Sequence, residues 1–129
     1  MSHLSTHMSK LSDIDSIKDA CNELGLTIKA GGRPRYYSGT HGSPECDYVI
    51  SWSGSNYDVG LKRDEKTGTY NLVYDSFTGA IEKKLGKGCS KLVQSATYHK
   101  IAKKAKGYGY FIQKKDTEKG TTQMVLTRY

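Results

Sequence analysis

Arg33, Arg35, Tyr36, Tyr37 and His41 fall in one stretch, Gly31-Gly32-Arg33-Pro34-Arg35-Tyr36-Tyr37-Ser38-Gly39-Thr40-His41-Gly42-Ser43-Pro44. A guanidinium offers forked N–H donors that match two phosphate oxygens at once. A phenol ring offers a flat face for stacking and a hydroxyl that tolerates water. The second group of interest is cationic: Lys87, Lys91, Lys100, Lys103 and Lys104. Cations beside aromatic rings suit single strands or nucleotide bases, each stack contributing about 1–3 kcal/mol. Gly31-Gly32 and Gly86-Lys87-Gly88 are the glycine pairs that could open a phosphate cradle, but neither carries the Gly-Lys-Ser/Thr ending of a P-loop. The plainer expectation for Gly86 and Gly88 is a helix break.

The charge is concentrated. The net charge of +7 hides a body, residues 1–82, with eight Lys/Arg against eleven Asp/Glu, and a segment, residues 83–115, with ten lysines and no acid. A localised field of this kind attracts nucleic acid, nucleotides or acidic protein surfaces. Its plain alternative is a solvated lysine face.

Other chemistries find less support. His3 and His7 are four residues apart, a separation of about 13 Å on a strand, with no third ligand in sequence reach. Cys21, Cys46 and Cys89 form no Cys-x-x-Cys pair, and no nucleophile elbow surrounds any of them. Such widely spaced thiols suit a reducing compartment. The start, Met1-Ser2-His3-Leu4, lacks the basic and apolar stretches of a secretory signal, and no apolar run approaches a membrane span. A cytoplasmic binding protein with no catalytic residue, metal or cofactor is the expectation.

These side chains need a scaffold, and 129 residues suffice for one domain, 1–129. Residues 2–7 predict a short strand. Ser12, with Asp15 three residues on, predicts the start of a helix, whose apolar stripe is Ile14, Ile17, Cys21 and Leu24. Gly25 suits the left-handed position past its end. A strand over 26–29 follows, then three strands of alternating pattern around 48–52, 57–61 and 70–74. Residues 80–106 predict a short and a longer helix divided at Gly86 and Gly88, with Tyr98, Ile101, Ala102 and Ala105 on one face. A hairpin over 108–114 and 122–128, turning through 116–120, ends the chain. Runs of strands with two separated helices predict an α+β fold: an antiparallel sheet of six to seven strands with two main helices packed on one face.

The segments Arg35-Tyr36-Tyr37-Ser38-Gly39, Asp47-Tyr48-Val49-Ile50, Tyr57-Asp58-Val59-Gly60-Leu61 and Tyr70-Asn71-Leu72-Val73 carry a family resemblance. So do Met1-Ser2-His3-Leu4, the helix with Gln94 and Tyr98-His99, Gly107, and the hairpin ending at Arg128. Together they resemble the hypothetical chloroplast reading frame thirty-five type, domain of unknown function number twelve fifty-seven. That resemblance implies an intracellular setting in plastids, cyanobacteria or bacteriophages, some members lying beside an AAA-type ATPase gene. It implies no activity. The heavy lysine load suggests a phage branch, acting in the host cytoplasm.

The residues therefore predict a non-enzymatic protein that binds nucleic acid or a nucleotide, including a sequestered nucleotide signal. Lys87, Lys91, Lys100, Lys103 and Lys104 supply charge, Arg33 and Arg35 directed bonds, and Tyr36, Tyr37 and His41 a stacking or lining surface. The alternative is an adaptor or regulator that docks on an acidic protein, such as an AAA-type ATPase or a host factor. A free edge strand also offers a route to self-association.

Overall fold

The computed structural model describes residues 4–116 and 122–128, with side chains from residue 4 to residue 109. Strand β1 (Leu4–His7) leads to helix α1 (Ile14–Glu23), then to strands β2 (Thr27–Ala30), β3 (Tyr48–Ser51), β4 (Val59–Asp64) and β5 (Thr69–Asp75). Helix α2 (Ala80–Leu85), a single 3-10 turn (Lys87–Cys89) and helix α3 (Ser90–Gly107) follow. Strands β6 (Tyr110–Asp116) and β7 (Thr122–Arg128) end the described chain.

The fold is α+β, as expected, but its sheet is smaller. Five antiparallel strands run in the order β1-β5-β4-β3-β2, while β6 and β7 form a separate two-stranded sheet, from Tyr110 opposite Arg128 to Asp116 opposite Thr122. Three helices accompany the sheet rather than two. Of the segment expected to turn between the last strands, 116–120, Asp116 ends β6 and residues 117–120 lie outside the described residues, as does His3.

Helix α1 starts one residue later than its capping signal suggests. Asp13, not Ser12, is the N-cap, accepting from the Asp15 amide and the Ser16 hydroxyl. Those bonds, the Ser16 bond first, hold the Asp13 carboxyl below its ordinary range. Gly25 takes the left-handed conformation at φ 71° that ends the helix.

The pleat divides the sheet into two working faces. Ile50, Val59, Leu61, Leu72 and Tyr74 point to one side and pack with Ile17, Ala20 and Cys21 of α1, Ile81 and Leu85 of α2, and Leu92 and Ala96 of α3. All three helices therefore cover that face. Val49, Gly60 and Val73 are cross-strand neighbours on the other face. There the long connection between β2 and β3 folds back, bringing Pro34 and Cys46 over Gly60.

Candidate anion-binding surfaces

The connection from Gly31 to Asp47 is anchored at both ends. The Gly31 amide donates to the Asp47 carbonyl, and the Cys46 amide to the Gly32 carbonyl. Pro34 is fully buried against the sheet. Next to it, Arg35 donates through Nε and Nη2 to the two carboxylate oxygens of Asp58, at 2.8 and 2.9 Å. The Arg35 amide donates to the same carboxylate, the Asp58 amide returns a bond to the Arg35 carbonyl, and Nη2 also reaches the Ser55 carbonyl. The Asp58 side chain is 5% exposed and that of Arg35 44%. The bonds to Asp58 push the Arg35 guanidinium still higher above neutrality.

This pair makes Arg35 a brace, so most of the directed donors expected for a ligand are already engaged. The same holds for Tyr36, which closes a backbone bridge with Gly39 and donates its hydroxyl to the His41 carbonyl. Ser43 is buried and donates to the Pro34 carbonyl, while Arg33 Nη1 donates to the Ser43 carbonyl. Tyr37 is 72% exposed, and the His41 residue lies on the surface of the loop. What the loop leaves open is a polar cleft of about 310 Å³ between its start and the sheet, lined by Lys29, Arg33, Arg35, Asp58 and Ser51 among others. Lys29 was not among the expected site residues. Its signal lay in the alternation of β2: with Ile28 turned to the core, Lys29 must share the opposite face with its cross-strand partner Val49.

The lysines lie elsewhere. Between the segment 8–13 and α3 runs a groove of about 710 Å³, floored by Leu72, Val93 and Ala96. Lys87, Lys100 and Lys104 line it, joined by Lys10, which the sequence did not single out because it stands alone before α1. Lys100 Nζ donates to the Ser12 hydroxyl at 3.0 Å. Lys103 instead pairs with Asp19 of α1 at 2.7 Å, a bond that raises its pKa, and Lys91 is exposed beyond both cavities. The ten expected residues thus form two groups on opposite faces of the sheet, and the sheet separates the arginine–tyrosine loop from the lysine helix.

The glycine pair before α3 is a helix break with its own anion. Gly88 donates its amide to Glu82 Oε2 at 2.8 Å, and Tyr74 donates its hydroxyl to the same oxygen at 3.0 Å. Both bonds hold the Glu82 carboxyl low, the amide bond most strongly. An internal carboxylate therefore occupies the electropositive helix start that phosphate would seek.

Cys89 begins α3 in the left-handed conformation at φ 58°, a feature typical of strained functional turns. Its surroundings oppose reactivity. The side chain is buried, and burial, reinforced by Glu82, pushes its thiol up to about 12. Burial alone pushes Cys21 to about 12 as well. Nucleophilic thiols need the opposite shift. The linkage has a definite sign: thiols that ionise near 8.5 in the unfolded chain retain their protons in the fold. Their contribution to stability is complete below about pH 8.5 and is lost as pH rises toward 12. Urea unfolding midpoints should accordingly fall steadily above pH 8.5, with less fall in Cys21→Ala than in the parent. A flat profile from pH 8 to 10.5 would contradict this. His99 Nε2 lies 3.3 Å from a Glu23 carboxylate oxygen, on the helical side. Among the described residues no three His, Cys, Asp or Glu side chains gather as a metal site would require, and no helix is long and apolar enough to cross a membrane.

A family model described as Protein of unknown function (DUF1257) matches residues 20–125 of the chain. The chain belongs to this family. No curated protein and no solved structure matches it. The DUF1257 match runs from the middle of α1 into β7, so both the braced loop and the wall of the groove on α3 lie inside it. Lys10, with the rest of the segment 8–13, lies just before it.

Proposed function

We propose that this DUF1257 chain is a non-enzymatic binding protein for a phosphate-bearing ligand of nucleotide size, seated in the loop cleft. One observation carries the reading: Lys29 and Arg33 converge on a small cleft whose wall is held by the Arg35–Asp58 brace. Asp58 is neutralised by Arg35, and among the described residues neither Lys29 nor Arg33 has a carboxylate partner. The cleft is therefore cationic, and its wall needs no ordering when a ligand arrives. At about 310 Å³ it lies at the small end of ligand sites, enough for a phosphate and a sugar. The base would remain outside, where Tyr37 is the exposed ring of the same loop. A long single strand fits less well, because the two cationic groups do not share a face.

Thermal unfolding with a panel of inorganic phosphate, nucleosides and nucleoside phosphates tests the reading. A ligand present at a hundredfold excess over its Kd stabilises by about 2.7 kcal/mol. Nucleotides should raise the melting temperature while unphosphorylated nucleosides do not. Lys29→Ala with Arg33→Ala should weaken binding at least tenfold, and Lys29→Ala alone should weaken it without lowering the melting temperature of the free protein, because the structural bond to the Ser43 carbonyl belongs to Arg33. Absence of any phosphate-dependent shift, or full binding by the double variant, would refute it.

A further inference from the structure

We propose that the groove between the segment 8–13 and α3 docks an acidic amphipathic helix of a partner protein. The surface lies on the helical side of the sheet, so this inference stands apart from the phosphate cleft. Its floor is aliphatic, and two apolar side chains stand at its margins facing water: Met8, 84% exposed, and Ile101, 39% exposed. Apolar side chains left open beside an apolar floor mark a surface that another apolar surface covers. Around them Lys10, Lys87, Lys100 and Lys104 form no ion pair among the described residues. Lys103, one position from Lys104, does pair, with Asp19 across the α1–α3 interface. The ammonium groups that border the groove are thus left without a carboxylate, and the one bond they make among the described residues is from Lys100 Nζ to the neutral Ser12 hydroxyl. Asp13, the acid of this lining, has its carboxylate occupied by the Asp15 amide and the Ser16 hydroxyl.

The wall has a matching period and length. Val93, Thr97, Lys100, Ile101 and Lys104 follow one side of α3 at helical spacing. From Ser90 to Lys104 that side rises about 21 Å, or about four turns. A partner helix of four turns would lay apolar residues at i, i+3 or i+4, and i+7 on the floor and point Asp or Glu at the lysines. Nucleic acid matches the charge but not the apolar part. It presents little aliphatic surface to cover Met8 and Ile101, and among the described residues no aromatic ring lines the groove for a base to stack on.

Fluorescence anisotropy with the full chain and a labelled peptide of about 18 residues tests this, the peptide having Leu on one helical face and Glu elsewhere. The controls are a scrambled peptide of the same composition, a peptide with Lys in place of every Glu, and a twelve-residue oligothymidylate. The amphipathic acidic peptide should bind at least tenfold more tightly than each control. Ile101→Glu, Met8→Glu and the pair Lys100→Glu with Lys104→Glu should each weaken it at least tenfold while melting like the parent. Equal binding of the scrambled peptide would reduce the face to a charged coat, and tighter binding of oligothymidylate would make it a nucleic-acid face. Either result overturns the proposal, as does failure of the amphipathic peptide to bind.

Discussion

Asp58→Ala should destabilise the protein by about 2–4 kcal/mol and remove phosphate-dependent stabilisation with it. The Asp58 carboxylate accepts three bonds from one residue: the amide, Nε and Nη2 of Arg35. Truncation leaves that amide without its acceptor and a guanidinium without its counter-charge. Breaking a fully buried ion pair costs about 3–5 kcal/mol. Water reaches the 44% exposed Arg35 side chain and returns part of that, while the abandoned amide adds about 1 kcal/mol or more. Asp58→Asn keeps an acceptor for the amide and should lose less. Arg35→Lys should lie near Asp58→Ala, because one ammonium group cannot reproduce a two-oxygen fork. Urea unfolding at fixed pH measures all three. An Asp58→Ala midpoint equivalent to less than 0.5 kcal/mol from the parent would remove the brace from the argument. Lys29→Ala provides the contrast, because it should weaken ligand binding and keep the stability.

That contrast bears on what a sequence can convey. The elements of this fold were readable wherever their cause was local. The stripe through Ile17 and Cys21, the left-handed Gly25 and the period-two pattern of β3 to β5 each operate within a few residues. The one-residue slip at the start of α1 has a local cause too, since Ser12 and Asp13 are both good caps. Whether a hairpin joins a sheet is not local. Strands β6 and β7 have the same sequence pattern in either arrangement, and they form a separate two-stranded sheet.

The grouping of the candidate residues was hidden for the same reason. Nothing in Arg33-Pro34-Arg35-Tyr36-Tyr37 announces that Asp58, 23 residues onward, will engage Arg35. Nor does the acid-free run from Lys83 announce that Lys103 will find Asp19 while Lys100 faces a groove. Charge counting located the cations correctly, but only the crossover of α1 and the fold-back of the loop decide which face each cation serves. The fold sets the loop cations and the helix cations on opposite faces of the sheet.

The fold-back depends on a glycine that did show a trace in sequence, since a glycine inside a strand often marks a close approach of another segment. Gly60 lies in β4 with ordinary extended backbone, so any strain on substitution is steric. A Cβ there would stand 2.6 Å from Cys46 Sγ and 3.0 Å from Pro34 Cγ. Gly60→Ala alone favours folding by about 0.4–1 kcal/mol through the unfolded chain. Overpacking opposes it by about 1–3 kcal/mol. The steric cost should win, because Cys46 is buried and its amide is bonded to the Gly32 carbonyl, leaving the thiol little room to retreat. Gly60→Ala should therefore lower stability by about 1–2 kcal/mol, and Gly60→Val by more. The decisive comparison is Gly60→Ala with Cys46→Ala, in which the closest atom is gone and only the longer contacts to Pro34 Cγ, at 3.0 Å, and to the Cβ of residue 46, at 3.4 Å, remain. The double variant should be more stable than the sum of the single effects by at least 1 kcal/mol, the coupling expected of two residues in direct contact. Strict additivity would mean that the loop does not rest on β4 at Gly60. With coupling present, Gly60→Ala should also weaken phosphate binding, because the atom displaced is next to the Gly32 end of the cleft, while leaving the acidic peptide on α3 bound as in the parent.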